Sequence, residues 1–343
     1  MGFLFPRLPD EIGRECLLRV ELNSHHKLRC VCKSWNAELK SAHFYQERKR
    51  LKISEQRICM IQKIDGICNR VAIFDPEKNT CKILPPIPTE INGISHSYFV
   101  KQKLVLITDL LVDSTKSRVW LYDFICSKWR QGAKMPRWLT KFVSAADDHR
   151  GLIYVAGGFT SSYIDARWQI YSNPVQSVSV YNVEEDKWDD LPDLNTYVSR
   201  SCGAFAEGKF YVMSTSLIFE VFDSYTRSWT TIWNRFKGWH RFISAFGRLY
   251  GLSVRGLIEY DYSQDKLSIV GTFPELNWGR SIDFAVLISN KIFVGISGFD
   301  TFAPQRFFIL EPPSETGGTL KLIGIERPSS LQGSAICAAT LDL

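Results

Sequence analysis

The sequence predicts a small all-α N-terminal module of three helices over residues 1–50, followed by an all-β six-bladed propeller over residues 51–343 that its C-terminal strand closes. Three observations predict this. The apolar residues change period near residue 52, from helical spacing to short β-rich runs between turn residues. An aromatic-Asp signature recurs along the second part at fixed local spacing. One strand-like run at the C-terminus has no unit of its own, while the first unit lacks an innermost strand.

In the first part, Pro9 suits a first helical turn, and Asp10, Glu11 and Glu15 lie early, where the helix dipole favours acids. Ile12, Cys16 and Val20 form one apolar stripe with Leu17 beside it. Asn23-Ser24 is read as the break before a second helix carrying Leu28, Val31, Cys32 and Trp35. A third, more polar helix is expected from Asn36 to Lys49, ending in the basic run ERKRLK. Three short helices bury little surface alone, so such a module leans on a partner.

In the second part the signatures are Phe74-Asp75, Tyr122-Asp123, Tyr181-Asn182, Phe222-Asp223 and Tyr260-Asp261. Six residues after each acid or amide stand Cys81, Trp129, Trp188, Trp229 and Leu267. This spacing fits a strand ending in an aromatic, a tight turn opened by Asp or Asn, and a strand whose first large residue packs inward. Trp129, Trp188 and Trp229 are therefore read as core. The intervals between signatures are 48, 59, 41 and 38 residues, and a degenerate sixth unit fits at 306–323. Each unit should hold four antiparallel strands with the innermost first. Ser334–Thr340 is expected to lie beside Ile58–Gln62 and seal the ring, which removes exposed strand edges.

These residues resemble two known families joined. LPDEIGRECLLRV with VCKSW is similar to the F-box, through Leu8, Pro9, Asp10, Ile12, Leu18, Val31, Cys32, Lys33 and Trp35. Gly157-Gly158 after LIYVA, and DLPDL after Trp188, resemble kelch repeats, although the double glycine occurs in one unit only. The combination resembles the plant F-box/kelch family, whose members are substrate receptors of SCF-type ubiquitin ligases. That resemblance implies a Skp-type adaptor and, through it, a cullin scaffold. It also implies a target protein, with phenylalanine ammonia-lyase and hormone-response regulators among the family's targets. By resemblance, Leu8, Pro9, Ile12, Leu28, Val31 and Trp35 form the adaptor surface.

Strand alternation places the loop before each innermost strand on the same rim as the loop between the second and third strands. An aromatic and a basic residue recur there: Trp138 with Lys141, Tyr197 with Arg200, Trp239 with Arg241, Trp278 with Arg280. The longest insertion, Phe159–Gln176, brings Tyr163, Arg167, Trp168 and Tyr171 to that rim. Arg and aromatic residues supply much of the energy of protein interfaces, so this mouth is expected to receive an acidic segment of the target. Such residues also serve as inter-blade packing in repeats.

Composition narrows the alternatives. Residues 1–52 hold eleven of the 42 Lys/Arg and six of the 36 Asp/Glu, a net charge of +5, which leaves +1 for the rest. A near-neutral large unit does not describe a nucleic-acid-binding surface. Charges in the first eleven residues argue against a secretory leader, and no long uncharged apolar run marks a membrane span. The nine scattered cysteines read as reduced thiols of a cytoplasmic or nuclear protein. A kelch-type copper-radical oxidase would need histidine and tyrosine ligands and a cross-linked cysteine. Three of the six histidines fall in the helical part, His149 reads as a hairpin turn, and His240 stands beside Arg241. No hydrolase, phosphate-loop or zinc-protease motif is present, so neither enzyme chemistry nor a cofactor or metal is expected. A plain binding scaffold is the remaining alternative.

Overall fold

The computed structural model describes residues 4–342 apart from 65–67, 89–93, 109–118, 125–126, 165–169, 199–201, 214–217, 234–238, 246–247, 254–255, 273–280, 298–304, 312–318, 329–330 and 332–333. The N-terminal module has four helices rather than three: α1 (Asp10–Leu18), α2 (Leu22–Leu28), α3 (Lys33–Glu38) and α4 (Ala42–Arg50). Asn23 and Ser24 lie inside α2 instead of breaking the chain, because the break falls earlier, at Arg19–Glu21. The expected second helix stops at Leu28, since Cys32 is extended and its sulfur accepts from Trp35 N–H, capping α3 at 3.5 Å. The expected third helix is interrupted because Ser41 is extended and opens α4. Leu17, Leu18, Leu39, Phe44 and Tyr45 form the module's core, with Phe99 and Phe124 of the large unit packed against it.

The rest is a ring of six four-stranded antiparallel sheets among the described residues. Blade one holds β1 (Gln56–Ile64), β2 (Cys68–Asp75) and β3 (Thr80–Ile83). Blade two holds β4 (Ile94–Val100), β5 (Lys103–Thr108), β6 (Val119–Asp123) and β7 (Lys128–Gln131). Blade three begins with β8 (Val143–Asp147) and β9 (Leu152–Ala156). A projecting hairpin follows, β10 (Phe159–Ile164) with β11 (Ile170–Pro174), before β12 (Val178–Asn182) and β13 (Lys187–Leu191) complete the blade. Blade four is β14 (Cys202–Ala206), β15 (Lys209–Met213), β16 (Ile218–Asp223) and β17 (Ser228–Trp233). Blade five is β18 (Trp239–Ala245), β19 (Arg248–Ser253), β20 (Gly256–Asp261) and β21 (Lys266–Thr272). Blade six is β22 (Ser281–Ile288), β23 (Lys291–Ser297), β24 (Arg306–Glu311) and β25 (Lys321–Ile325). The last strand, β26 (Ser334–Asp342), pairs with β1 from Gln56↔Asp342 to Lys63↔Ser334 and becomes the innermost strand of blade one. The ring is closed by both ends of the propeller chain, as expected.

The recurring signature has a simple cause. Its aromatic and the residue six positions past the acid are cross-strand partners: Phe74↔Cys81, Tyr122↔Trp129, Tyr181↔Trp188, Phe222↔Trp229 and Tyr260↔Leu267. The acid or amide caps the turn between them. Asp75 Oδ1 accepts from the N–H groups of Glu77 and Lys78 at 3.0 and 3.1 Å, and Asn182, Asp223 and Asp261 repeat the arrangement. In blade six Leu310 pairs with Leu322 at the same place.

The cores lie between blades. Val105, Ile107 and Leu121 of blade two meet Ile153, Val155 and Tyr181 of blade three, all fully buried. Each such side chain contributes about 1.5–3 kcal/mol when removed from water. Trp188 and Trp229 sit half-buried on these seams and donate to the carbonyls of Ala133 (3.1 Å) and Pro192 (2.8 Å) in the preceding inter-blade segments. Gly158 has φ of +88°, and a Cβ there would stand 2.5 Å from the Thr140 carbonyl. The double glycine thus lets the chain leave β9 and open the hairpin.

Candidate adaptor face, junction and target mouth

Strand pairing defines two rims. Val143 at the start of β8, Ala156 at the end of β9 and Val178 at the start of β12 are register partners, so all three lie on one rim. The β8–β9 turn at residues 148–151, which contains His149, lies on the other. Lys49 at the end of α4 reaches Asp148 in that turn at 3.5 Å and Asp342 at the end of β26 at 3.3 Å. The helical module therefore sits on the rim opposite the expected target mouth.

The module's attachment is built around Arg48. Its side chain is buried, and its guanidinium donates to the carbonyls of Leu18 and Val20 at the end of α1, and to that of Ile53 (3.2 Å). Without it the Leu18 carbonyl would be orphaned at the helix end, while that of Val20 also meets His25 Nε2 at 3.0 Å. Arg48 also meets Glu55 at 3.3 Å, Glu55 meets Arg57 at 2.5 Å, and Arg57 meets Asp75 at 3.2 Å. Glu55 further accepts from the Leu22 N–H at the start of α2 at 2.5 Å. A chain of alternating charges thus joins α1, α2 and α4 to blade one. Desolvation pushes the Arg48 pKa down, while the carboxylate of Glu55 opposes that shift.

The residues expected to meet an adaptor divide by burial. Pro9 is exposed, Ile12 is 48% exposed and Val31 61%. Leu8 is half-buried, while Leu28 and Trp35 are half-buried against the module core. Trp35 stacks near Phe5 at 4.8 Å between centroids and donates to the Leu4 carbonyl, so much of its ring serves the module itself. Cys16, Cys30 and Cys32 are exposed.

At the mouth, Trp138 is half-buried and Lys141 exposed, its ammonium 5.9 Å from the Phe159 ring centre. Tyr197 is 58% exposed. The hairpin of β10 and β11 rises from this rim, tied by the Thr140↔Phe159 bridge. Arg241 differs from the expected pattern: it lies inside β18, not before it. Its guanidinium turns to the neighbouring blade and donates to the carbonyls of Ile282 (3.1 Å) and Asp283 (2.7 Å). Trp239 opens β18 opposite Ser253. Arg167, Trp168, Arg200, Trp278 and Arg280 lie outside the described residues. The rim is also less uniformly basic than the spacing suggested, because Arg137 is paired with Asp190 at 2.7 Å.

Two features of this rim escaped sequence reasoning. Glu220 is fully buried and accepts from Asn195 N–H at 2.9 Å and from the Thr196 hydroxyl, holding the loop that presents Tyr197. An acid inside the apolar run IFEVFD was the available signal, since a buried carboxylate demands donors. Trp233 is 60% exposed at the end of β17, opposite Ile218, on the same rim.

The innermost strands surround a central cavity of about 660 Å³, walled by small residues such as Ala145, Gly203, Ser244, Ala285 and Ala338. Tyr98 of β4 and Ser144 of β8 join neighbouring innermost strands through a hydroxyl pair at 2.7 Å. His96 stacks on Phe142 with centroids 4.8 Å apart. Burial, with the Arg241 charge adding, pushes the His96 pKa down to about 4. Burial likewise raises the thiols of Cys202 to about 11 and Cys337 to about 12, so these cysteines stay protonated and act as small apolar residues.

The fold is a six-bladed propeller that carries a small helical module on the rim opposite the one that bears the β10–β11 hairpin. Comparison with known proteins finds the same two parts. The F-box domain matches residues 5–47 and the Kelch motif residues 149–195. The chain is 29% identical over 225 residues to the F-box/kelch-repeat protein At1g80440 of Arabidopsis thaliana, covering 61% of each. It is 28% identical over 229 residues to At1g15670 and 27% identical over 244 residues to SKIP30, both F-box/kelch-repeat proteins of the same plant. The alignments cover 61%, 61% and 66% of those relatives, so the chain spans less than two thirds of the length of the curated relatives it matches. It carries an F-box followed by kelch repeats, as these plant F-box/kelch-repeat proteins do.

Proposed function

We propose that this chain is the substrate-recognition subunit of an SCF-type ubiquitin ligase, and that it makes and breaks no bond itself. The F-box would dock a Skp-type adaptor and through it a cullin, while the mouth of the propeller holds a target protein by an acidic segment. One observation carries the reading: apolar Pro9, Ile12 and Val31 stay exposed on a module that a chain of ion pairs ties to the rim opposite the mouth. A receptor works by holding its client at high local concentration near the transfer machinery, and a stiff junction preserves that geometry. The finer reading, in which the client is phenylalanine ammonia-lyase or a hormone-response regulator, is supported by family resemblance alone.

The test separates the two faces. Ile12→Glu with Val31→Glu, both at exposed positions, should abolish co-purification with a Skp-type adaptor and leave the melting temperature and client capture unchanged. Tyr197→Ala with Lys141→Glu should do the reverse. Retained adaptor binding in the first pair would refute the proposed docking face. Purified phenylalanine ammonia-lyase offered to the full chain decides the finer reading.

A further inference from the structure

Between the F-box and blades one and two lies a cleft of about 410 Å³, within the range of small-molecule sites and at a junction between units, where such sites concentrate. Its walls are divided by chemistry. Leu22 of α2, Ile73 of β2, Leu84, and Phe124 after β6 give an apolar interior. The charge in the lining is mostly positive. The acid lining the cleft, Asp75, is already held by Arg57 and by two backbone N–H groups. Arg57 is in turn matched by Glu55 as well as Asp75. Arg29 is different. It is half-buried, its Nε meets only the neutral amide of Asn36 at 3.4 Å, and it has no carboxylate partner among the described residues. Lys82 and His26 stand exposed at the lip. A half-shielded guanidinium without a counter-ion, beside an apolar pocket, is complementary to a molecule with an anionic head and an apolar body.

We propose that this junction cleft binds a small organic acid, with its apolar ring or chain among Leu22, Ile73, Leu84 and Phe124 and its anionic head on Arg29. Such a ligand touches α2 of the F-box and blades one and two together, so it would reinforce the junction that Arg48 and Glu55 hold.

Calorimetric titration of the full chain with 2-naphthoate, 2-naphthalenemethanol and inorganic phosphate tests this. 2-Naphthoate should bind one saturable site about tenfold more tightly than the alcohol, the difference being one charge-assisted contact. Phosphate alone should bind more weakly than either. Arg29→Gln should bring the acid to the affinity of the alcohol. Thr80→Trp, from an exposed position lining the cleft, should remove both at an unchanged melting temperature. The proposal is overturned by absence of saturable 2-naphthoate binding, by equal affinity for acid and alcohol, by phosphate binding as tightly as the acid, or by either variant leaving 2-naphthoate binding unaltered.

Discussion

Replacing Arg48 with Met keeps much of the buried stem but removes the group that closes the end of α1. Its guanidinium serves three backbone carbonyls and one carboxylate. The costs differ by site. The Leu18 contact is buried, so its carbonyl would be left without a partner, at about 1–3 kcal/mol. The Val20 and Ile53 contacts are only partly buried, and water can replace part of each. Glu55 keeps Arg57 and the Leu22 N–H, so its charge is not stranded. A total of about 2–4 kcal/mol follows, mostly from the stranded Leu18 carbonyl and the partly replaced contacts to Val20 and Ile53. It should fall on the F-box rather than on the ring. Amide hydrogen exchange would report this: α1 and α4 should lose protection by more than an order of magnitude, about 1.4 kcal/mol or more. The exchange of β8, β9 and β12 should not move, and adaptor binding should weaken with the loss of α1. The reasoning is refuted if α1 and α4 keep wild-type protection, or if the whole propeller loosens with them.

Two further outcomes follow from the ring. A chain ended after Gln332 lacks β26 and uncovers β1, whose Ile58–Ile61 segment is fully buried. It should be insoluble or aggregated by light scattering, because an unpaired apolar edge invites association, and a soluble monomer would contradict closure by this strand. His96 titrates at about 4 when folded and near 6.5 unfolded, so its contribution to stability is complete above about pH 6.5 and declines as pH falls toward 4. The unfolded chain takes up the proton first in that window, at a cost to the fold of up to about 3 kcal/mol. His96→Phe, which keeps the stack on Phe142, should flatten that part of the urea-denaturation profile against pH, and an unchanged slope would remove His96 as its source.

Much of the ring was legible because its signals are local. An Asp or Asn that caps its own turn, and an aromatic that meets the residue across that turn, act within seven residues of each other. The same local pairing recovered the blades and the surplus strand. The helical module was harder. Leu28, Val31, Cys32 and Trp35 keep helical spacing across a chain that is not helical there, and the sulfur cap at Cys32 has no strong signature. The aromatic and basic residues of the mouth were legible as a recurrence, but not in their destinations. Arg241 and Lys141 occupy similar places in the pattern, yet one ties two blades and the other is exposed at the rim.

By itself the sequence determined the two units, the number of blades, the turn chemistry and closure by the last strand, since each depends on spacing along the chain. Tertiary structure alone decided which rim carries the F-box, which apolar residues of the module stay exposed, and that Arg48 fastens it. Those outcomes depend on burial and on which carbonyls lack partners. Both are set by segments as distant as Leu18 and Glu55, or Lys49 and Asp342, which only the fold brings together.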